Sequence, residues 1–184
     1  MKSTLRALGV VAVAVVAILL LSRRDATAIV RFAPAACASD SSFQRLAFWV
    51  GDWDVFDSVG TRYASQRVHP VVDACAFTAE WTGPIGDKGM SLTSYDPRTH
   101  DWKQVYVSNQ VPAVAGVSIR KSDPSYSGPG IRFIPLADPA PGETSRLRIT
   151  ILPLADHRVR QTFEESKDGG QTWRTVFNAE HRLH

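Results

Sequence analysis

Cysteine is scarce in this chain: there are two, Cys37 and Cys75, and no Cys-x-x-Cys pair. That excludes a zinc ribbon, a thioredoxin-type redox motif and a disulfide-dense miniature scaffold. The five histidines, His69, His100, His157, His181 and His184, fall without metal-ligand spacing. A bias toward one charge is missing too. The chain has 21 basic and 18 acidic side chains, and residues 1–28 hold Lys2, Arg6, Arg23 and Arg24 against Asp25, which leaves 17 of each sign beyond them. A neutral body with no basic stripe between aromatics gives nucleic acid no footing as a partner. No nucleophile elbow, phosphate loop or His-Glu metal motif occurs. The sequence assigns no catalytic residue.

Long apolar runs are also lacking, apart from Ala7 to Leu21, which at 15 residues falls short of the roughly 20 that a membrane-crossing helix needs. Lys2 and Arg6 precede it and Ala26-Thr27-Ala28 follows, the three-part layout of a secretory signal peptide. Arg23, Arg24 and Asp25 lie before the small-residue site, and charges there slow processing, so an uncleaved membrane anchor is the alternative. The expected organisation is a signal peptide or N-terminal anchor over 1–28, an arm over 29–41 and one barrel domain over 42–184. The expected location is periplasmic or secreted, with membrane contact only through the N-terminal segment. In an oxidising compartment Cys37 and Cys75 would be able to pair and pin the arm to an early strand. The alternative is a free Cys75 packed as a small hydrophobe.

What is present is a succession of short strands punctuated by Gly and Pro. The runs are Trp49–Asp57, Thr61–Val68, Val71–Trp81, Met90–Tyr95 and Asp101–Val107, then Val111–Lys121, Gly130–Leu136, Ser145–Leu152, Arg158–Glu165 and Gln171–Leu183. None has helical periodicity. Ser41 or Ser42 is placed to cap a short helix over Phe43–Leu46 that plugs one end. About ten strands joined by hairpin-length links imply an all-β, antiparallel up-and-down barrel, which leaves no exposed edge. Longer loops at Asp123–Gly130 and Asp138–Glu143 fit the mouth.

Several of these residues carry a resemblance. Phe48-Trp49-Val50-Gly51-Asp52-Trp53-Asp54-Val55 is followed in order by Cys75, Glu80-Trp81, Ser91, Tyr95-Asp96, Trp102-x-Gln104 and Val159-Arg160-Gln161. The closing run is Glu164-Glu165-Ser166-x-Asp168-Gly169-Gly170-x-Thr172-Trp173. The chain resembles the uncharacterised bacterial exported proteins of the lipocalin-like, or calycin, barrel group, from about Phe43 to its end. The resemblance implies the barrel fold and no established reaction. Where relatives often carry Trp-Val-Asp, this chain has Tyr106-Val107-Ser108.

A barrel of this kind would bind a small, mainly apolar or amphipathic ligand in its interior. Trp102-x-Gln104-x-Tyr106, on one face of a strand, is the best lining candidate, joined by Trp81, Glu80 and Arg148. No cofactor is expected. One alternative is a haem-binding or enzymatic barrel, with His181 as axial ligand or Glu80 and Arg148 as an internal acid/base pair. The other is a structural or interaction module with a filled core. Ser166-Lys167-Asp168-Gly169-Gly170-Gln171-Thr172-Trp173 matches the Asp-box of sialidase propellers, but a single copy in a chain this short is expected to be only a turn.

Overall fold

Alternating apolar and polar side chains between turn residues set ten antiparallel strands in a computed structural model that describes residues 36–109, 116–137 and 141–184. The segment 1–28, most of the arm 29–41, the start of the strand expected from Val111 and the first half of the Asp138–Glu143 loop lie outside the described residues. In chain order the strands are β1 Gly51–Phe56, β2 Arg62–Val71, β3 Ala76–Thr82, β4 Lys88–Asp96 and β5 Asp101–Ser108, then β6 Gly116–Ser122, β7 Ile131–Pro135, β8 Arg146–Pro153, β9 Val159–Ser166 and β10 Arg174–Leu183. Each pairs with the next, and β10 returns to β1 from Trp53↔Leu183 to Phe56↔Glu180. The ring is closed. This is the lipocalin-like up-and-down barrel that the spacing of turns implies.

The entry to the barrel departs from expectation. Phe48 and Trp49 belong to a 3-10 helix over Phe43–Trp49, so β1 begins only at Gly51. Neither serine caps this helix by its side chain. Asp40 organises its start, accepting from the Ser42 amide at 2.8 Å through its carboxylate and from the Phe43 and Gln44 amides through its carbonyl. Gly51 makes the corner: its φ is 155°, and a Cβ there would press on Leu183 and Trp53. The helix then lies across one end of the barrel. Trp53 Nε1 donates to the Trp49 carbonyl at 2.9 Å, Arg45 Nε to the Gly130 carbonyl at 3.1 Å, and Phe43 meets Tyr95 edge-on. Leu46 and Trp49 drop inward onto Phe77, Trp102, Phe133 and Ile149, forming a packed core at that end.

The break expected at His69-Pro70 is displaced. β2 carries on through Pro70, opposite Phe77, and turns at Val72-Asp73-Ala74, all three at positive φ (52°, 53° and 64°). Left-handed backbone is costly for residues with a Cβ, and most of all for β-branched Val72. Nothing in local composition marks such a turn. It closes with the Cys75 amide donating to the Val72 carbonyl at 3.0 Å. Cys75 is also disulfide-bonded to Cys37, with Cα atoms 4.9 Å apart, which moors the arm to this end of the sheet.

The bridge spans 38 residues, and constraining a loop of that length in the unfolded chain is worth about 2–4 kcal/mol. Replacing both cysteines by serine should lower the urea unfolding free energy by that amount. Thiol titration of the denatured, unreduced protein should find no free sulfhydryl.

Candidate functional site

Strand parity decides which side chains enter the barrel. On β3 the inward set is Phe77, Ala79 and Trp81; on β5 it is Trp102, Gln104 and Tyr106; on β9 it is Val159, Gln161 and Phe163. Along each strand the first member lies in the plugged half and the later ones approach the other end. The plugged half is solid. The remainder encloses a cavity of about 560 Å³, within the usual range for small-molecule sites.

The two depths of this cavity differ in chemistry. Toward the opening the wall is aromatic, built from Tyr63, Trp81, Phe163 and Phe177. Phe163 and Phe177 sit 4.8 Å apart between centroids, and Trp81 meets Phe177 edge-on at 6.1 Å, separations at which aromatic pairs attract beyond simple burial. Trp81 is oriented by its indole N–H, which donates to Asp87 Oδ2 at 3.1 Å. The hydroxyl end of the Tyr106 ring sits against Gly89, where a Cβ would collide with it.

Deeper in, the wall becomes polar. Gln66, Ser91, Gln104, Arg120 and Gln161 are all buried and all line the cavity. Arg120 Nη1 donates to Gln104 Oε1 at 2.8 Å, and Gln104 Nε2 donates to Thr93 Oγ1 at 3.1 Å. The guanidinium stands 5.4 Å from the centroid of the Tyr106 ring. Only 8% of Arg120 is exposed, and this burial pushes its pKa down from the ordinary value, with Tyr106 opposing. Among the described residues no carboxylate pairs with it, and the rest of its donor fork is unused. Two buried atoms of the lining, Trp49 Nε1 and Gln66 Oε1, have no hydrogen-bond partner among the described residues. Native interiors rarely leave such groups unmet.

Of the residues expected at the site, the barrel brings Trp81, Gln104 and Tyr106 together. Trp102 shares their face but sits toward the plug, 2% exposed and packed on Phe77 and Tyr95. Glu80 and Arg148 have outward parity, on β3 and β8, five strands apart in a ring of ten. They cannot form an internal pair. Arg148 instead makes a bidentate pair with Glu164 at 2.7 and 2.9 Å and lies 3.9 Å above the Trp173 ring. That contact holds the Glu164 carboxyl below its usual range. Glu80 lines a shallow outer groove beside Arg67 and Asp52. The sequence reading missed Arg120, Gln66 and Phe177. Phe177 shares the inward parity of Ala179 and His181 on β10, past the irregularity between Thr175 and Phe177.

His181 is fully buried beside Trp53, outside the cavity wall. Axial ligation of a haem needs an open face at the ring nitrogens, and the packing around His181 offers none, so the residues present do not fit that group. No three His, Cys, Asp or Glu side chains among the described residues are grouped as a metal site requires. The Asp-box segment is a turn between β9 and β10. Asp168 accepts from the Gln171 and Thr172 amides at 3.0 and 2.9 Å and from the Ser166 hydroxyl at 2.7 Å, and Trp173 Nε1 closes it on the Gly170 carbonyl at 3.0 Å. The Thr172 hydroxyl, which also donates to Asp168 at 2.6 Å, and those donors hold the Asp168 carboxyl far below its ordinary value.

No protein-family model matches the chain, and no curated protein does.

His181 supplies a pH prediction. Burial lowers its pKa from 6.5 to about 4, so between those values the unfolded chain binds the extra proton. Stability should therefore fall as pH drops from about 6.5 toward 4 and level off below, by about 3 kcal/mol from this residue. In His181→Leu, which also removes two unpartnered ring nitrogens, urea midpoints at pH 7 and pH 4.5 should lie closer together than in the parent protein.

Proposed function

We propose that the protein is an exported, non-catalytic carrier of the lipocalin-like, calycin group, which buries a small, mainly apolar molecule in the open half of its barrel. The observation that carries this is the aromatic-walled cavity above the plugged core. A barrel meant only as a structural module gains stability from filling its interior, and here only one half is filled. Tyr63, Trp81, Phe163 and Phe177 supply apolar contact area, while Gln66, Gln104 and Gln161 supply a few orienting polar groups, the usual division of labour in a small-molecule site. The N-terminal pattern of Lys2, Arg6, Ala7–Leu21 and Ala26-Thr27-Ala28 supports a periplasmic or secreted location. The Cys37–Cys75 bridge is consistent with an oxidising compartment. Glu80, Arg148 and His181, on which an enzymatic or haem reading rests, supply no arrangement that favours it.

Native mass spectra of protein purified from the exporting host without denaturant should show a discrete extra mass. The neutral fluorophore N-phenyl-1-naphthylamine should bind with enhanced emission. Trp81→Ala removes about 1–2 kcal/mol of apolar wall, so affinity should drop roughly five- to thirtyfold with the fold intact. Trp102→Ala should do the reverse, costing about 3–5 kcal/mol of stability while the folded fraction keeps its affinity. A fluorophore that binds neither protein nor variant, with no extra mass, would remove the carrier function.

A further inference from the structure

We infer that the ligand is an amphiphile with an anionic head, carried head-inward, with Arg120 as the receptor of that head. The inference rests on the carrier function proposed above and adds the ligand's charge and its orientation.

A guanidinium stripped of water is costly unless it is paired or hydrogen-bonded. Among the described residues Arg120 has one hydrogen bond, to Gln104 Oε1, and a stacking contact with Tyr106. The charged groups elsewhere on the cavity wall do not answer it. Arg146 has the same sign and donates to the Glu143 and Ser145 carbonyls, and Glu165 is engaged by Arg174 at 2.9 Å. The free part of the Arg120 fork therefore belongs to a buried cation on the wall of an open cavity, and that fork matches the geometry of a carboxylate or a phosphate.

The order of chemistry with depth gives the orientation. Polar Gln66, Ser91, Gln104, Arg120 and Gln161 are buried, whereas Tyr63, Trp81, Phe163 and Phe177 are half-buried or exposed. A purely apolar ligand would leave the polar floor unmet, and a fully polar one would waste the aromatic wall. An anionic head on the floor with an apolar tail along the aromatics satisfies both.

The test compares probes of one chain length and different heads: decanoate, decyl phosphate, 1-decanol and decylammonium, each displacing N-phenyl-1-naphthylamine. The wild-type protein should bind one or both anions about tenfold or more tighter than decanol, and decylammonium weakest of all. Whichever anion binds tighter identifies the head as carboxylate or phosphate ester. Arg120→Met should bring the anions to within about threefold of decanol while the neutral fluorophore keeps its affinity; Arg120→Lys should retain part of the preference. Equal binding of decanol and both anions by the wild type overturns the inference and leaves the carrier function standing. So does an anion preference that survives in a folded Arg120→Met. If the methionine variant does not fold, the wild-type order of anion, alcohol and ammonium decides alone. Failure of the fluorophore itself to bind the wild type would end the carrier function and this inference with it.

Discussion

Closure of the ladder between β1 and β10 is the constraint from which the other features follow. Once the ring closes, no strand has a free edge, and every side chain is committed to the interior or to solvent by parity. An eight-stranded ring is just wide enough for side chains to fill, and ten strands enclose more than that. The surplus has to be taken up. At one end the 3-10 helix Phe43–Trp49 folds across the opening and lowers Leu46 and Trp49 into it. At the other end the surplus stays open and becomes the cavity. Plug and cavity are two answers to one geometric excess.

The plug depends in turn on covalent and local devices that cluster at its end of the barrel. Asp40 starts the helix, Gly51 turns the chain into β1, and the Cys37–Cys75 bridge moors the arm beside the left-handed turn Val72-Asp73-Ala74. That turn is unfavourable for its own residues, so tertiary attachment is what holds it. The arrangement concentrates rigidity in the filled half and leaves the aromatic half lined by few hydrogen-bonded contacts. Exposed aliphatic side chains on the outer faces of β4 to β6, from Met90 and Leu92 through Val105 and Val107 to Val117 and Ile119, lie beyond the wall and take no part in either half.

Much of the fold was legible because it is written in alternation and turn residues. Each of the ten runs contains a strand among the described residues, and on β3 alternation puts Phe77, Ala79 and Trp81 on one face. What alternation does not carry is depth. Trp102, Gln104 and Tyr106 share a face, but their positions along the axis depend on the stagger between strands, a global property. So Trp102 falls in the core, while Gln104 and Tyr106 reach the cavity. Parity was likewise silent on sign until one strand was placed. Arg148 was expected on the lining and Arg120 was not, and only the closed ring turns the first outward to Glu164 and the second inward. The turn at Val72-Asp73-Ala74 was hidden for a different reason: it contains neither Gly nor Pro, and Pro70 drew the break to itself. Phe177 shares a face with Ala179 and His181, and only its depth along the axis brings it to the cavity and His181 to the core.

The polar floor is where the sequence breaks its own folding rules. Local propensity, patterning and packing agree through the plugged half, which reads as an ordinary apolar core. On β5 and β6 they stop agreeing: a glutamine and an arginine occupy inward positions that Leu or Ile would fill with gain to stability. Natural sequences depart from consistency in this way at functional or strained places, and the cost is carried by the rest of the structure. The filled half, the disulfide and the closed ladder supply that reserve. Gly89 tells the same story from the strand beside it, since a strand interior gains nothing from glycine except the room that the Tyr106 phenol occupies. Taken together, Gly89, Tyr106, Gln104 and Arg120 form a set whose members weaken the barrel singly and make sense only as the wall of a site.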